Sequence, residues 1–406
     1  MAELTRDEVL VKISRKESLA RADLSGLDLS GCDLAGADFR RAELDGTNLE
    51  NARLLRADLT NASLREAFLA GADLTEARLE KADLEGANLK RAVLDGANLD
   101  RATLEGATLS EARLRGARLT GAQLDSADLG GANLESAVMS HAELIESYLG
   151  GANLSSAQLS NADLSSANLE EANFSGAVLD DAELSKARAP GAIFHNASMT
   201  RATLSGAQFV RANLVGADLR HARLESTEFA GAMLTGARLF GVSAAGVRLN
   251  EISAEWIDAG PDGGQKRVPG NDIMALLEGR LQPSATRYFG EGDVLRNAAL
   301  EFGAGSSVEI DSRFENCTIT LGDGTDLVIG HCGVLKDCQI NGTGNVTVHG
   351  LFFERESPGI VGPRQFVVSS QGAVVGTVEQ ASQNTVFAFE PGCRLRMRIV
   401  RSRSQS

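Results

Sequence analysis

From Ala22 to Leu249 the chain keeps a five-residue period without a slip, beginning ADLSG, LDLSG, CDLAG, ADFRR, AELDG. Forty-six central sites fall at 24, 29, 34 and onward to 249, and forty-four of them hold Leu, Phe or Met; Ala189 and Ala244 depart. Two residues before each centre, thirty-nine of the forty-six sites are Ala, with Leu27, Cys32, Thr47, Ser147, Thr227, Val242 and Val247 as exceptions. Such a period matches neither the 3.6 of a helix nor the 2 of a strand. With the centre called i, apolar residues at i−2 and i followed by polar or small ones suit a chain that turns a corner at every repeat. Four corners close a square coil, and stacked coils bury Leu on Leu and Ala on Ala. Ala is demanded at i−2 because neighbouring backbone leaves room for little more than a methyl. Gly recurs at i+2 (Gly26, Gly31, Gly36, Gly46), where a tight turn calls for permissive dihedrals. An Ala/Leu-rich helical bundle would need heptad spacing, which is absent.

These residues resemble the pentapeptide repeat family, A(D/N)LXX in tandem, over about residues 18–250. The resemblance implies an all-β fold, a right-handed quadrilateral β-solenoid of about 11.5 coils for the forty-six repeats. Its i−2 and i side chains point inward and the other three outward, and at about 4.8 Å per coil the rod is roughly 55 Å long. A solenoid needs its ends covered. Residues 1–17 are expected to do this at one end, because Thr5-Arg6-Asp7-Glu8 has the pattern of a capping box opening a short helix. Val9, Leu10 and Ile13 on that helix are placed to cover the first coil.

A square coil sorts the outward residues into four walls. On the wall that starts at Asp23, the acids are Asp23, Glu43, Asp45, Glu66, Asp83, Glu85, Glu105, Asp125, Glu143, Glu146, Asp163, Glu183 and Glu225. Its only bases are Arg65, Lys186 and Arg223, whereas the other three walls are close to balanced. Thirteen acids against three bases give this wall a net charge of −10, the whole excess of the repeat region, which repels nucleic acid and attracts a basic protein surface. The candidate binding residues are Asp23, Glu43, Asp45, Asp83, Glu85, Glu105, Asp125, Glu143, Asp163 and Glu183. Within the family, the quinolone-resistance type is similar in being a DNA-like acidic rod that docks on DNA gyrase. The present repeat departs from it in having no interrupting loop and in being followed by a further domain. A wall kept acidic for solubility is the competing reading.

Residues 251–271 are rich in Gly and Pro and are expected to be a linker. Asn271-Asp272 before IMALLEGRL predicts a short helix over about 272–281. The rest of a 272–406 domain is expected to be β-rich, in the manner of a β-helix or β-roll, with a β-sandwich as the alternative. The stretches at 300–310, 319–329 and 339–348 align, with Phe302, Leu321 and Ile340 falling 19 residues apart. The segment GAVVGTV faintly resembles bactofilin-type polymer-forming domains, which implies self-assembly. Arg394, Arg396 and Arg398 alternate near the C-terminus, a second candidate binding surface for an anionic partner or an acidic face of another copy.

Catalytic chemistry is poorly represented. His141, His195 and His221 lie at outward solenoid positions, and His331 and His349 further on; none has metal-ligand spacing with Cys or Asp. Cys332 and Cys338 lack C-x-x-C spacing, Cys317 and Cys338 are placed to stack on adjacent rungs, and Cys32 replaces an inward Ala. Neither a metal nor a cofactor is expected. No apolar run approaches the ~20 residues of a membrane span, and the first residues carry no apolar leader, so a cytoplasmic location is expected. The sequence therefore predicts a non-enzymatic scaffold or adaptor that binds a basic protein partner, with homo-oligomerisation open. The alternatives are a DNA-mimicking regulator of a type II topoisomerase such as DNA gyrase, and a structural protein that self-assembles through its C-terminal domain.

Overall fold

The computed structural model describes residues 4–260 without interruption, 267–277, and most of 286–401; side chains are described up to residue 348. Contacts divide the chain into two units, Met1–Ile257 with Pro269–Glu278, and Asp258–Val268 with Gly279–Ser406.

The first unit is a four-sided solenoid. Residue i−1 of every repeat bridges, in parallel, the residue twenty positions on: Asp23 to Glu43, Asp28 to Asn48, Asp33 to Arg53, Asp38 to Asp58, and so on to Met233–Ser253. The inward Leu and Ala are fully or almost fully buried through the body of the stack. Polar substitutes at the Ala sites are satisfied: the Thr47 hydroxyl donates to the Leu24 carbonyl at 3.0 Å, Ser147 to Leu144 at 2.7 Å and Thr227 to Leu204 at 2.8 Å. Where Phe replaces Leu on successive coils the rings stack, Phe174 on Phe194 with centroids 4.8 Å apart and Phe209 on Phe229 at 5.5 Å.

Counting backbone donors explains the motif. In one repeat the N–H of i and of i+2 bond the next coil (Leu24 to Glu43 O, 2.7 Å; Gly26 to Asp45 O, 2.9 Å), and that of i−1 bonds the preceding coil (Glu43 to Ala22 O, 2.9 Å). The N–H of i−2 closes the corner (Leu27 to Leu24 O, 3.1 Å). Only the i+1 N–H lacks a backbone acceptor, and an unmet donor is costly. The Asp or Asn at i−1 supplies the acceptor: Ser25 donates to Asp23 Oδ1 at 3.0 Å, Lys90 to Asn88 Oδ1 at 3.1 Å, Ser165 to Asp163 Oδ1 at 2.9 Å. Stacked polar ladders between coils are confined, among the described Asn side chains of the solenoid, to the run Asn133–Asn153–Asn173. The turn, rather than the stack, selects Asp or Asn.

Every corner residue at i+2, from 21 to 251, has positive φ, between 54° and 75°. Gly takes this left-handed conformation freely, and it occupies twenty of the forty-seven corners; the other twenty-seven bear side chains.

At the first coil, α1 (Arg6–Ser14) carries the expected capping box, with the Thr5 N–H donating to Glu8 Oε2 at 2.8 Å. Val9 is buried and Leu10 and Ile13 are half-buried, while the Arg6 guanidinium donates to the open carbonyls of Asp28 and Ser30, both at 3.1 Å. Beyond the last coil, β1 (Trp256–Asp258) pairs with β2 (Arg267–Pro269), and a 3-10 turn leads into α2 (Ile273–Leu277). The residues following Leu277, where the predicted helix was to continue, lie outside the described ones.

The second unit is a parallel β-helix with three strands to a rung. The first rung is β3 (Thr286–Phe289), β4 (Val294–Arg296) and β5 (Ala299–Phe302). The next is β6 (Ser307–Ile310), β7 (Arg313–Glu315) and β8 (Thr318–Leu321), followed by β9 (Asp326–Ile329), β10 (Val334–Lys336) and β11 (Gln339–Gly342). Then come β12 (Asn345–Val348), β13 (Leu351–Phe353) and β14 (Ile360–Val361). The last two rungs are β15 (Gln365–Val368) with the long β16 (Ala373–Gln380), and β17 (Val386–Phe389) with β18 (Arg394–Arg401). All described pairings between these strands are parallel, which excludes the sandwich alternative.

The register corrects one expectation. Phe302 does pair with Leu321, but Ile340 pairs with Ile319, 21 residues away, and Leu321 pairs with Gly342. The cause is the loop after β9: four residues separate Ile329 from Val334, whereas two separate Ile310 from Arg313. The same offset stacks Cys317 over Cys338, whose sulfur accepts the Cys317 N–H at 3.4 Å. Both are free thiols in the core, and burial pushes the Cys338 thiol up to about 12.

Candidate interaction site: an acidic wall

The coil-to-coil register decides which outward residues share a side. One ladder runs Asp23, Glu43, Ser63, Asp83, Thr103, Gln123, Glu143, Asp163, Glu183, Thr203, Arg223, Ser243, each bridged to the next. Asp45, Glu85, Glu105 and Asp125 follow two residues after members of this ladder, at the corner beside it. All ten acids singled out from sequence therefore lie on one wall and its corner.

Their electrostatics differ from the rest of the solenoid. On other walls, acids and bases alternate between coils: Arg53 binds Asp33 at 2.9 Å, Arg78 binds Asp58 at 3.5 Å, Arg91 binds Glu111 at 2.8 Å, and Arg118 binds Asp100 at 2.6 Å. On the acidic wall Arg65 holds Asp83 and Glu85, at 3.1 and 2.5 Å. Among the described residues, Glu43, Asp45, Glu105, Asp125, Glu143, Asp163 and Glu183 have no cationic side chain at ion-pair distance. Glu143, Asp163 and Glu183 sit directly opposite one another on three successive coils. Like charges so placed cost about 0.2–1 kcal/mol per pair.

Hydrogen bonds favour the ionised form of two acids on this wall. The Ser25 backbone N–H lowers the Asp23 carboxyl below its usual range, and the Ser243 hydroxyl does the same for Glu225. Asp45 and Asp125 accept the backbone N–H of Arg65 and Ile145 from the next coil, at 3.0 and 2.8 Å.

The turn does not require this charge. Asn serves the i+1 N–H as well as Asp, at 3.1 Å for Asn48 and 3.0 Å for Asn168. Eight repeats use Asn at i−1 (48, 88, 98, 133, 153, 168, 173, 213), and every one is on another wall.

The repeat region from residue 18 to residue 250 matches the family model for pentapeptide repeats. The chain belongs to the pentapeptide repeat family. Pentapeptide repeat proteins are also found among solved structures. HetL, involved in heterocyst differentiation regulation in the cyanobacterium Nostoc sp. strain PCC 7120, is 29% identical, with 64% of this chain and 99% of that one covered and a TM-score of 0.27. QnrB1, a plasmid-mediated fluoroquinolone resistance protein, is 18% identical, over 59% of this chain and 94% of that one, with a TM-score of 0.22. A pentapeptide repeat protein of the Arabidopsis thaliana thylakoid lumen is 30% identical, over 32% and 75%, with a TM-score of 0.16. Among curated proteins no significant match is found. Membership rests on the repeat match itself.

Other residues singled out in this pentapeptide repeat protein are dispersed. His141 and His221 are corner residues, the latter edge-on to Phe240 at 5.4 Å, and His195 contacts Asn196 at 3.0 Å. No group of three or more metal-binding side chains occurs among the described residues, and His331, Cys332 and His349 lie outside them. Arg394, Arg396 and Arg398 occupy alternate positions of β18, opposite Ala373, Val375 and Thr377 of β16, with their side chains outside the described set. No described helix is long and apolar enough to cross a membrane. A shallow cleft of about 220 Å³ at the last coil is lined mainly by Leu249, Ile252, Ala254, Ile273 and Met274.

Proposed function

We propose that this pentapeptide repeat protein is a non-enzymatic interaction protein whose acidic wall docks a protein partner with a basic surface, so that the rod acts as a scaffold or adaptor. One observation carries the reading: the wall uses charge where folding does not ask for it. Asn would serve the corner equally well and would remove repulsion between coils, yet on this wall alone no repeat has Asn at i−1. Uncompensated carboxylates on a rigid frame favour a basic partner through long-range attraction and fast encounter. They also repel nucleic acid, whose phosphates carry the same sign.

A DNA-binding enzyme of the type II topoisomerase class, DNA gyrase among them, is the more specific target that the family resemblance suggests. The wall offers such a groove the sign of charge that DNA offers. The β-helix, with its candidate basic strand at Arg394, Arg396 and Arg398, supports a second contact or self-association.

The test is affinity capture from a lysate with the full chain and a variant carrying Asp83→Asn, Glu105→Gln, Asp125→Asn and Asp163→Asn. These changes keep the corner acceptors and remove four charges. Loss of the captured partner, mirrored by its release at raised salt, supports the reading. An identical captured set from both proteins would reduce the wall to a solubility device.

A further inference from the structure

Tyr148 is 47% exposed and occupies an i−1 position on the side that adjoins the acidic wall. Its ring packs against two glycines of neighbouring coils. A Cβ at Gly130 would come within 2.7 Å of Tyr148 Cε1, and one at Gly150 within 2.5 Å of Cζ and 2.9 Å of Cε2. Neither glycine is at a positive-φ corner, so the turn gives no reason for them. Their lack of a side chain is what leaves room for the ring against the solenoid, and about half of Tyr148 stays open to solvent.

Acidic residues stand on the coils to either side of Tyr148 and at the corner before it. Asp128 is the bridged neighbour of Tyr148 one coil away, held by the Gly130 N–H at 2.9 Å. Glu170 belongs to the coil on the other side, where its carbonyl accepts the Gly151 N–H at 2.8 Å. Glu146, two residues before Tyr148, stands on the corner shared with the acidic wall. Among the described residues none of the three is paired with a cation. Phe68, equally exposed on the same side, differs: its next coil carries Lys90 and Arg91, so cations are already close by.

An exposed aromatic ring with acidic residues on the neighbouring coils suits a flat, weakly hydrated cation. We propose that Tyr148, on its floor of Gly130 and Gly150, is the anchor point for an arginine side chain of the basic partner. The guanidinium stacks on the ring while Asp128, Glu146 and Glu170 take its charge. This rests on reading the acidic wall as a docking surface, and it adds a defined point of contact to a diffuse field. A lysine ammonium, compact and strongly hydrated, gains less from the ring.

The experiment titrates acetylated hexa-arginine and hexa-lysine peptides into the full chain at low salt by calorimetry. Three variants are compared with it: Tyr148→Ala, Tyr148→Phe, and the four-charge neutralisation above. The expected result is a loss of about two- to fivefold in hexa-arginine affinity for Tyr148→Ala, the range of an exposed cation–π contact. Tyr148→Phe retains the affinity, and hexa-lysine responds less to either change. Equal hexa-arginine affinity for Tyr148→Ala and the parent overturns the anchor. If the neutralised wall still loses binding in that case, the docking wall stands without it. If neither variant differs from the parent, both readings fall.

Discussion

Glu143 and Asp163 face each other across adjacent coils, bridged through their backbones, and among the described residues no cation lies at ion-pair distance from either carboxylate. Asp33 and Arg53 hold the equivalent relationship on another wall and form an ion pair at 2.9 Å. One backbone arrangement thus carries attraction on one side and repulsion on another, and only the first helps the fold.

Removing that repulsion should stabilise the protein. Asp163→Asn keeps the acceptor for the Ser165 N–H, which lies 2.9 Å from Asp163 Oδ1, and should raise stability by up to ~1 kcal/mol at low ionic strength. The gain should shrink as salt screens the wall. Asp163→Ala, which also loses the corner acceptor, should give back about 1 kcal/mol or more. Thermal unfolding at two salt concentrations separates the two terms; a salt-independent Asn effect would contradict the repulsion.

The corner conformation makes its own prediction. Ser126 has φ of 57°, where a non-glycine residue is strained by about 1–2 kcal/mol. Ser126→Gly should leave stability unchanged or raise it by up to ~1 kcal/mol, since backbone entropy offsets part of the relief. Ser126→Val, β-branched, should lower it. Urea unfolding of the three proteins measures the order, and Val above Gly would refute it.

Inside the coil, size should matter in opposite directions at neighbouring sites. Leu99 and Ala97 are both fully buried. Leu99→Ala should cost about 2–5 kcal/mol through a cavity between stacked coils. Ala97→Leu should cost about 1–3 kcal/mol or more, because backbone occupies the space beyond the methyl. Chemical denaturation of each variant reads the cost.

In the β-helix, the Arg313 and Arg296 guanidinium groups hold Glu315 down to about 2, well below the usual carboxylate value. A depressed folded-state value means a contribution present above the unfolded value of about 4.3 and lost as pH falls toward 2. The stability gap between parent and Glu315→Gln should therefore narrow from pH 6 to pH 3. Hydrogen exchange over residues 313–321 follows the gap, and a gap that widens on acidification would refute the sign.

The solenoid was legible because one short-range rule repeats: Leu24 and Ala22 set the inward positions, and twenty residues set the stack. The acidic wall followed by arithmetic once the coil length was known. The donor left over at i+1 was not legible, since a backbone acceptor is missing only when the whole coil is drawn; Asp and Asn at i−1 were its trace. The Tyr148 platform was also missed, although the paired GG at 130–131 and 150–151 was a signal. Both doublets resemble ordinary corner glycines until Gly130 and Gly150 are found outside the positive-φ set. The β-helix register slipped at Ile340 because loop length, unlike corner chemistry, leaves no regular mark.

The same corner rule makes the repeat a code with two separable readings. Each five-residue unit makes the same backbone hydrogen bonds, so excising one would preserve the backbone ladder and lose only side-chain bonds made between coils, such as that of the Arg65 N–H to Asp45. The downstream coils, however, would be rotated by one side of the square. An acid beyond the deletion would move off the shared wall, and the wall would break in two at that level. Excising four consecutive units would shorten the rod by one coil and leave the wall continuous. Folding therefore counts in fives, whereas a binding surface of this kind counts in twenties, and a change can be silent to the first and ruinous to the second.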